Sequence, residues 1–277
     1  MIKTSFPSIP KIFVLSAIAL TITGCNPPQT NTPENNPPTP EVGFLQLTAN
    51  GQNYIFQEIQ TKDGWNINLN HVYITINNVI AHQTNPPYNA STENPLQAQE
   101  SVNLIISPTT IDLMLGTMDN PAVLVTEVEA PPGDYNALSW QMYNNPESPP
   151  SLSLEGIAQK DNQQIPFTLQ LPMDINYTCG DFVGDETKGI LNPGETAEIE
   201  MTFNLNHIFG DARKDNNDAI NLTALGFQPI ANLANNQPLE TNLENLKTNL
   251  TPEQYQTLEN NILQLAQVGE GQCRYQL

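Results

Sequence analysis

His71-Val72-Tyr73-Ile74-Thr75-Ile76 sets Val72, Ile74 and Ile76 on one face of an extended chain and His71, Tyr73 and Thr75 on the other. A repeat of two is the signature of a strand with one face buried. Similar runs recur on both sides of it. Strands are expected over residues 102–106, 110–115, 123–128, 135–143, 151–158, 165–171 and 198–205, with Asp161-Asn162 and Asn192-Pro193-Gly194 as turns. Residues 43–49 and 53–57 flank Asn50-Gly51, a dipeptide that accepts positive φ at both positions, and are read as a hairpin. Many short strands punctuated by Pro, Gly and Asn define a mainly β fold, an antiparallel β-sandwich, over residues 43–277.

The last quarter changes period. Thr251-Pro252-Glu253-Gln254 joins an N-cap threonine, a proline at the first helical position and a capping-box glutamine. Tyr255, Leu258, Ile262, Leu265 and Ala266 then recur at helical spacing, so a helix over 252–267 is predicted, ended by Gly269. Shorter helical turns are expected over 218–225, 229–234 and 243–248, which makes about 219–277 a short helical C-terminal region. No internal repeat suggests a solenoid or propeller.

The other end of the chain is built differently. Lys3 and Lys11 precede an apolar run over residues 12–22, and Ile22-Thr23-Gly24-Cys25 follows. That run is shorter than the ~20 apolar residues needed to span a bilayer, and small residues precede the cysteine, as in a cleaved export signal. The stretch resembles the lipobox of bacterial lipoproteins. The resemblance implies cleavage after residue 24, diacylglycerol on the Cys25 thiol and N-acylation. Each buried methylene contributes ~0.8 kcal/mol, so several acyl chains anchor stably where one binds reversibly. Asn26 rather than Asp after the cysteine implies an outer-membrane location, facing the periplasm or the cell surface. Residues 25–42 then form a tether: Pro27, Pro28, Pro33, Pro37, Pro38 and Pro40 stand among Asn, Thr and Gln with almost nothing apolar to bury.

Charge narrows the partners. The chain carries 9 Lys and Arg against 29 Asp and Glu. A polyanion of this kind is not built to bind nucleic acid, and anionic headgroups repel it, so membrane attachment rests on the acyl chains. Such a charge concentrates multivalent cations, and it also serves solubility. With Cys25 reserved for lipid, Cys179 and Cys273 are an even pair in an oxidising compartment and are read as a disulfide. As thiolate metal ligands each would want a second Cys two to four residues away, which neither has.

The usual catalytic signatures are missing: there is no G-x-S-x-G, no H-E-x-x-H, no phosphate-binding glycine loop and no dinucleotide fingerprint. Only His71, His82 and His207 could serve a serine nucleophile as base. His82, beside Pro86-Pro87, is expected to be exposed and without a role. Asp181, Asp185 and Glu186 lie close together, as a glycosidase requires, but an acidic chain makes such neighbours common. The chain is therefore expected to be non-catalytic. Asp211, Asp215, Asn217 and Asp218 have the oxygen density of a calcium loop without EF-hand spacing, and serve equally as turn and helix-start residues. Strand parity from Ile199, Met201, Phe203 and Leu205 carries His207 onto the inward face, at least partly buried, whereas His71 sits on the mixed face.

Five stretches carry a wider resemblance. They are residues 65–73, residues 130–140, Cys179-Gly180-Asp181-Phe182-Val183-Gly184-Asp185, His207-Ile208-Phe209-Gly210-Asp211, and Gly269-Glu270-Gly271-Gln272-Cys273. Together they resemble a group of uncharacterised bacterial secreted lipoproteins over most of 43–277. The first two are also distantly similar to the periplasmic copper-binding partner proteins of methanobactin systems, which are non-catalytic β-sandwiches. The resemblance implies a divalent metal, copper or zinc beside the calcium considered above, held by His71, His207, Asp211 and Glu270. This chain departs from the histidine-rich pattern with Asn204, Gln267 and Gln272, and amides are poor substitutes for imidazole toward soft metals. Two readings of the folded part stay open: a lipid-anchored metal-binding sandwich, and a structural or adhesion-type surface protein without a metal.

Overall fold

Nineteen residues, Asn66–Thr84, form one continuous strand on which most of the fold is hung. The computed structural model describes residues 42–277, apart from 93, 146–148, 181–187, 236 and 269–270. The expected leader, Cys25 and nearly all of the tether lie outside the described residues, as do Asp181, Asp185, Glu186 and Glu270.

In chain order the strands are β1 (Gly43–Asn50), β2 (Ile59–Gln60), β3 (Asn66–Thr84), β4 (Ala98–Ile105), β5 (Thr109–Asp112), β6 (Val123–Ala130), β7 (Gly133–Asp134) and β8 (Ala137–Met142). There follow β9 (Leu152–Lys160), β10 (Gln163–Gln170), β11 (Ile175–Gly180), β12 (Ile190–Leu191) and β13 (Thr196–Phe203). Three short helices come next, α1 (Asn206–Phe209), α2 (Ala219–Thr223) and α3 (Gln228–Ala231), and then β14 (Leu239–Asn242). The chain closes with α4 (Leu243–Asn249), α5 (Pro252–Leu263), β15 (Ala266–Val268) and β16 (Gly271–Gln276).

The long β3 changes partners along its length. One edge carries β9 beside Asn66–Ile74 and then β8 beside Ile76–His82, while the other carries β2, β5 and β4 in turn. Breaks in register after Leu69 and between Asn77 and Ile80, where Asn78 adopts φ 49°, mark bulges that bend the strand. The bend lets one strand serve two parts of the sandwich. From β8 the sheet continues through β11 to β16, and β16 carries it across to β15, β13, β1 and the edge strand β6. The pairing is mostly antiparallel, but β1 with β13 and β10 with β14 run parallel.

Between the two faces sits an aromatic core. Trp140 of β8 stacks on Tyr177 of β11 at 4.5 Å and meets Phe203 of β13 edge-on at 5.6 Å. Leu45, Leu47, Ile199 and Met201 complete this layer from β1 and β13, all fully buried. A second cluster packs the helical region onto the sandwich, with Phe227 in contact with Trp65, Phe167 and Phe209 at 5.2 to 6.1 Å between ring centres. Lys62 fixes the same junction by donating to the Asn221 carbonyl at 2.8 Å and to that of Ala224, at the end of α2.

Three local expectations give way to long-range pairing. The Asn50-Gly51 hairpin does not form: β1 lies between β6 and β13, and the chain leaves it through a 3-10 turn at Asn53–Phe56. The helix begins at Pro252 with the complete capping box but stops at Leu263, short of residue 267. Its last carbonyls accept from Tyr177 Oη, at 3.3 Å for Ile262 and 3.2 Å for Leu263, and Ala266–Val268 instead pair with Met201–Phe203. The strand expected to run to residue 205 ends at Phe203, so His207 lies on a helical turn rather than on a strand face.

Candidate functional site

Cys179 and Cys273 stand directly opposite each other on β11 and β16, with Cα atoms 4.1 Å apart, and are joined by a disulfide. Beside the bridge is a cavity of about 250 Å³ lined by His207, Leu263, Gln264, Ala266, Gln267, Cys273 and Tyr275. The lining elements are tied to one another. The His207 amide donates to the Asn204 carbonyl, the Asn204 amide to the Leu265 carbonyl, and the Asn204 side-chain oxygen accepts from Tyr54 Oη at 3.0 Å and from the Asn206 amide at 3.1 Å. Asn204 thus fastens α1 to the turn ahead of β15, and its side chain is engaged away from the cavity. Gln267 faces Thr202 in one register and Gln272 in the other. Among the described residues His207 Nδ1 is buried without a hydrogen-bond partner, and burial holds the imidazole below its ordinary pKa, so it is neutral at pH 7.

Of the other expected metal residues, His71 and Asp211 lie elsewhere, and Glu270 is outside the described residues. His71 Nδ1–H donates to Asp112 Oδ2 at 2.6 Å, its ring stacks on Tyr73 at 5.1 Å, and the hydrogen bond to Asp112 raises its pKa. The second Asp112 oxygen accepts from the Val72 and Met114 amides, both at 3.1 Å, so one carboxylate ties β3, β5 and the turn after β5 together. Asp211 is spent on Arg213, accepting from Nε at 2.8 Å and Nη2 at 2.9 Å, and this keeps its carboxyl below the usual range. Asn221 organises the rest of that loop by binding the Asp211 amide and the Asp211 and Asp215 carbonyls. Asp218 caps α2. Asp211 and Asp218 thus serve as turn and cap residues. Among the described residues no three His, Cys, Asp or Glu side chains gather closely enough to hold a metal ion.

His82 corrects the expectation of an exposed side chain. It is 8% exposed, with Nδ1 2.8 Å from Ser101 Oγ and Nε2 2.8 Å from Ser139 Oγ, so both ring nitrogens are satisfied by the strands flanking β3. Burial lowers its pKa, and a neutral ring suits the two hydroxyls. Asp112, Asn221 and the serines were invisible to the sequence reading, because each acts on a residue brought near by strand pairing or a loop fold.

Fold and cavity together define a β-sandwich with a helical C-terminal cap and a small polar cleft at the disulfide. Comparison of the chain with protein-family models, with curated proteins and with solved structures gave no match.

Proposed function

We propose that this chain is a lipid-anchored, non-catalytic protein of the bacterial cell envelope, which holds a rigid β-sandwich as a binding scaffold beyond a Pro-rich tether at the outer membrane. The observation that carries the reading is the Cys179–Cys273 bridge. Disulfides persist in oxidising compartments, and this one uses the two cysteines left once Cys25 is assigned to lipid. The non-catalytic part is supported by the histidines: His71 is engaged with Asp112, His82 with two serines, and His207 faces two carboxamides rather than a nucleophile. Growth with labelled palmitate should mark the wild type and not Cys25→Ala; equal labelling of the two would remove the anchor.

A second reading, one divalent metal per chain near the tail, rests on the unpartnered His207 Nδ1 in its cavity. Glu270 lies outside the described residues, and His71 and Asp211 are engaged away from that cavity. Elemental analysis of protein purified without chelator, beside His207→Ala, tests it. Near one copper, zinc or calcium per chain, lost in the variant, would favour this reading over the structural one.

A further inference from the structure

A larger cavity, of about 370 Å³, lies in the loop between β3 and β4 and shares no lining residue with the disulfide cleft. Its volume falls within the 300–1,000 Å³ of small-molecule sites, at the small end. The floor is fixed. Thr84 and Tyr88 are buried, and the Asn136 side chain clamps Thr84 by accepting from its amide at 3.0 Å and its hydroxyl at 2.8 Å while donating to its carbonyl at 2.9 Å. The Tyr88 amide donates to Thr84 Oγ1 at 2.9 Å. Beneath, the Tyr88 backbone lies so close to Gly180 that a Cβ there would collide with it, which is a physical reason for the glycine that follows Cys179. At the far side Arg274 donates to the Thr92 carbonyl at 3.3 Å. The loop is therefore docked on the two disulfide-linked strands.

No described residue of the lining carries a charge, and Glu93, between Thr92 and Asn94 in sequence, lies outside the described residues. Asn85, Asn94 and Gln97 are exposed at the rim and hold no side-chain hydrogen bond among the described residues, so their carboxamides are free to donate and accept at once. Asn89 spends its side-chain oxygen on the Ser91 amide at 2.8 Å, which turns its NH₂ into a fixed donor. Pro86, Pro87 and Pro95 supply flat aliphatic ring faces between these amides. Paired donors and acceptors beside C–H surfaces, with no charge among the described lining residues, match a ligand of vicinal hydroxyls on an apolar ring face.

We propose that the β3–β4 loop cavity binds a neutral saccharide, a mono- or disaccharide unit at the end of a glycan, through the carboxamides of Asn85, Asn94 and Gln97 over the Thr84–Tyr88 floor. The site shares no lining residue with the disulfide cleft and does not rest on the metal reading.

Saturation-transfer NMR on the full-length protein in detergent tests it, with glucose, galactose, mannose and N-acetylglucosamine as probes and glucuronate and a blocked tripeptide as comparators. At least one neutral sugar should bind with Kd of about 1 mM or tighter. Asn85→Ala and Gln97→Ala, on the exposed rim, should each weaken it by about tenfold, and Gln267→Ala in the other cavity should leave it unchanged. Thermal melts of the variants verify that each is folded. The proposal is overturned if no neutral sugar receives saturation at about ten times that concentration, if glucuronate or the tripeptide binds more tightly than every neutral sugar, or if both rim variants bind as the wild type does.

Discussion

Removing the Cys179–Cys273 bridge should cost this fold a large share of its stability, and the structure gives the size of the effect. The cysteines are 94 residues apart in sequence, and the β11–β16 ladder sets them directly opposite. The backbone pairing from Asn176 to Cys179 with Cys273 to Gln276 does not depend on the sulfur link, so the native state survives its loss and the main change is in the unfolded chain. In the chain-entropy model a closed loop of that length removes about 16 cal/mol/K from the denatured ensemble, or about 4.7 kcal/mol at 25 °C. For a folded part of roughly 235 residues the unfolding entropy is about 0.5 kcal/mol/K, so Tm should fall by about 10 °C. The assay is calorimetric or circular-dichroism melting of three samples: oxidised wild type, wild type in a thiol-free reductant, and Cys179→Ala/Cys273→Ala. The reasoning is refuted if the reduced protein and the double variant both melt within about 2 °C of the oxidised protein. It is also refuted if only the variant falls, because that assigns the loss to packing around Cys179 rather than to loop closure.

Three further outcomes are expected. Phe203→Ala, which empties the space against Trp140 between the two faces, should destabilise the domain by about 3–5 kcal/mol in urea titrations, and a loss below about 1 kcal/mol would mean the faces do not pack there. Thr251→Ala should cost about 1 kcal/mol through the lost cap of α5, while Thr251→Ser should cost almost nothing; equal losses would put the threonine's worth in its methyl group. The histidines should titrate in opposite senses by NMR. His71, raised by Asp112, contributes stability that is full below its unfolded pKa of about 6.5 and is lost as pH rises through the folded value, and Asp112→Asn should bring that value down. His82, lowered by burial, contributes stability that is present above about 6.5 and is lost as pH falls through its folded value, and a ring that titrates normally would contradict its burial.

Where sequence reading succeeded, the controlling interactions are local. The alternation through Val72, Ile74 and Ile76 predicts a strand with one face buried, and all three side chains are fully buried in β3. Thr251 and Gln254 specify the start of α5 because both capping bonds form within four residues. The cysteine pair is legible from the cysteine count and the expected export. Where reading failed, a distant partner overruled a local preference. Asn50-Gly51 has the chemistry of a hairpin turn, yet β1 finds more to pair with in β6 and β13 than in the residues that follow it. Leu265 and Ala266 continue the helical period, yet the helix stops at Leu263 and the edge of β13 draws Ala266 into a strand, with both side chains buried. His82 stands beside a proline-rich loop, yet β4 and β8 close over it and supply the two serines that satisfy its ring.

The same division runs through the candidate sites. Sequence pattern singled out His71 and His207, and the lipoprotein resemblance implied an imidazole where this chain has Gln267. Only the pairing of β13 with β15, and of β15 with β16, puts His207, Gln267 and Cys273 around one cavity, and only β5 brings Asp112 to His71. By itself, the sequence determined the strand-rich class, the helix start, the cysteine pair and the expectation of a lipid anchor, because each is written in residues a few positions apart or in composition. Tertiary structure alone decided which carboxylate or amide meets which histidine. The histidine contacts join residues as many as 57 positions apart, and the geometry that makes them is set by strand register and a bent β3, which no local preference encodes.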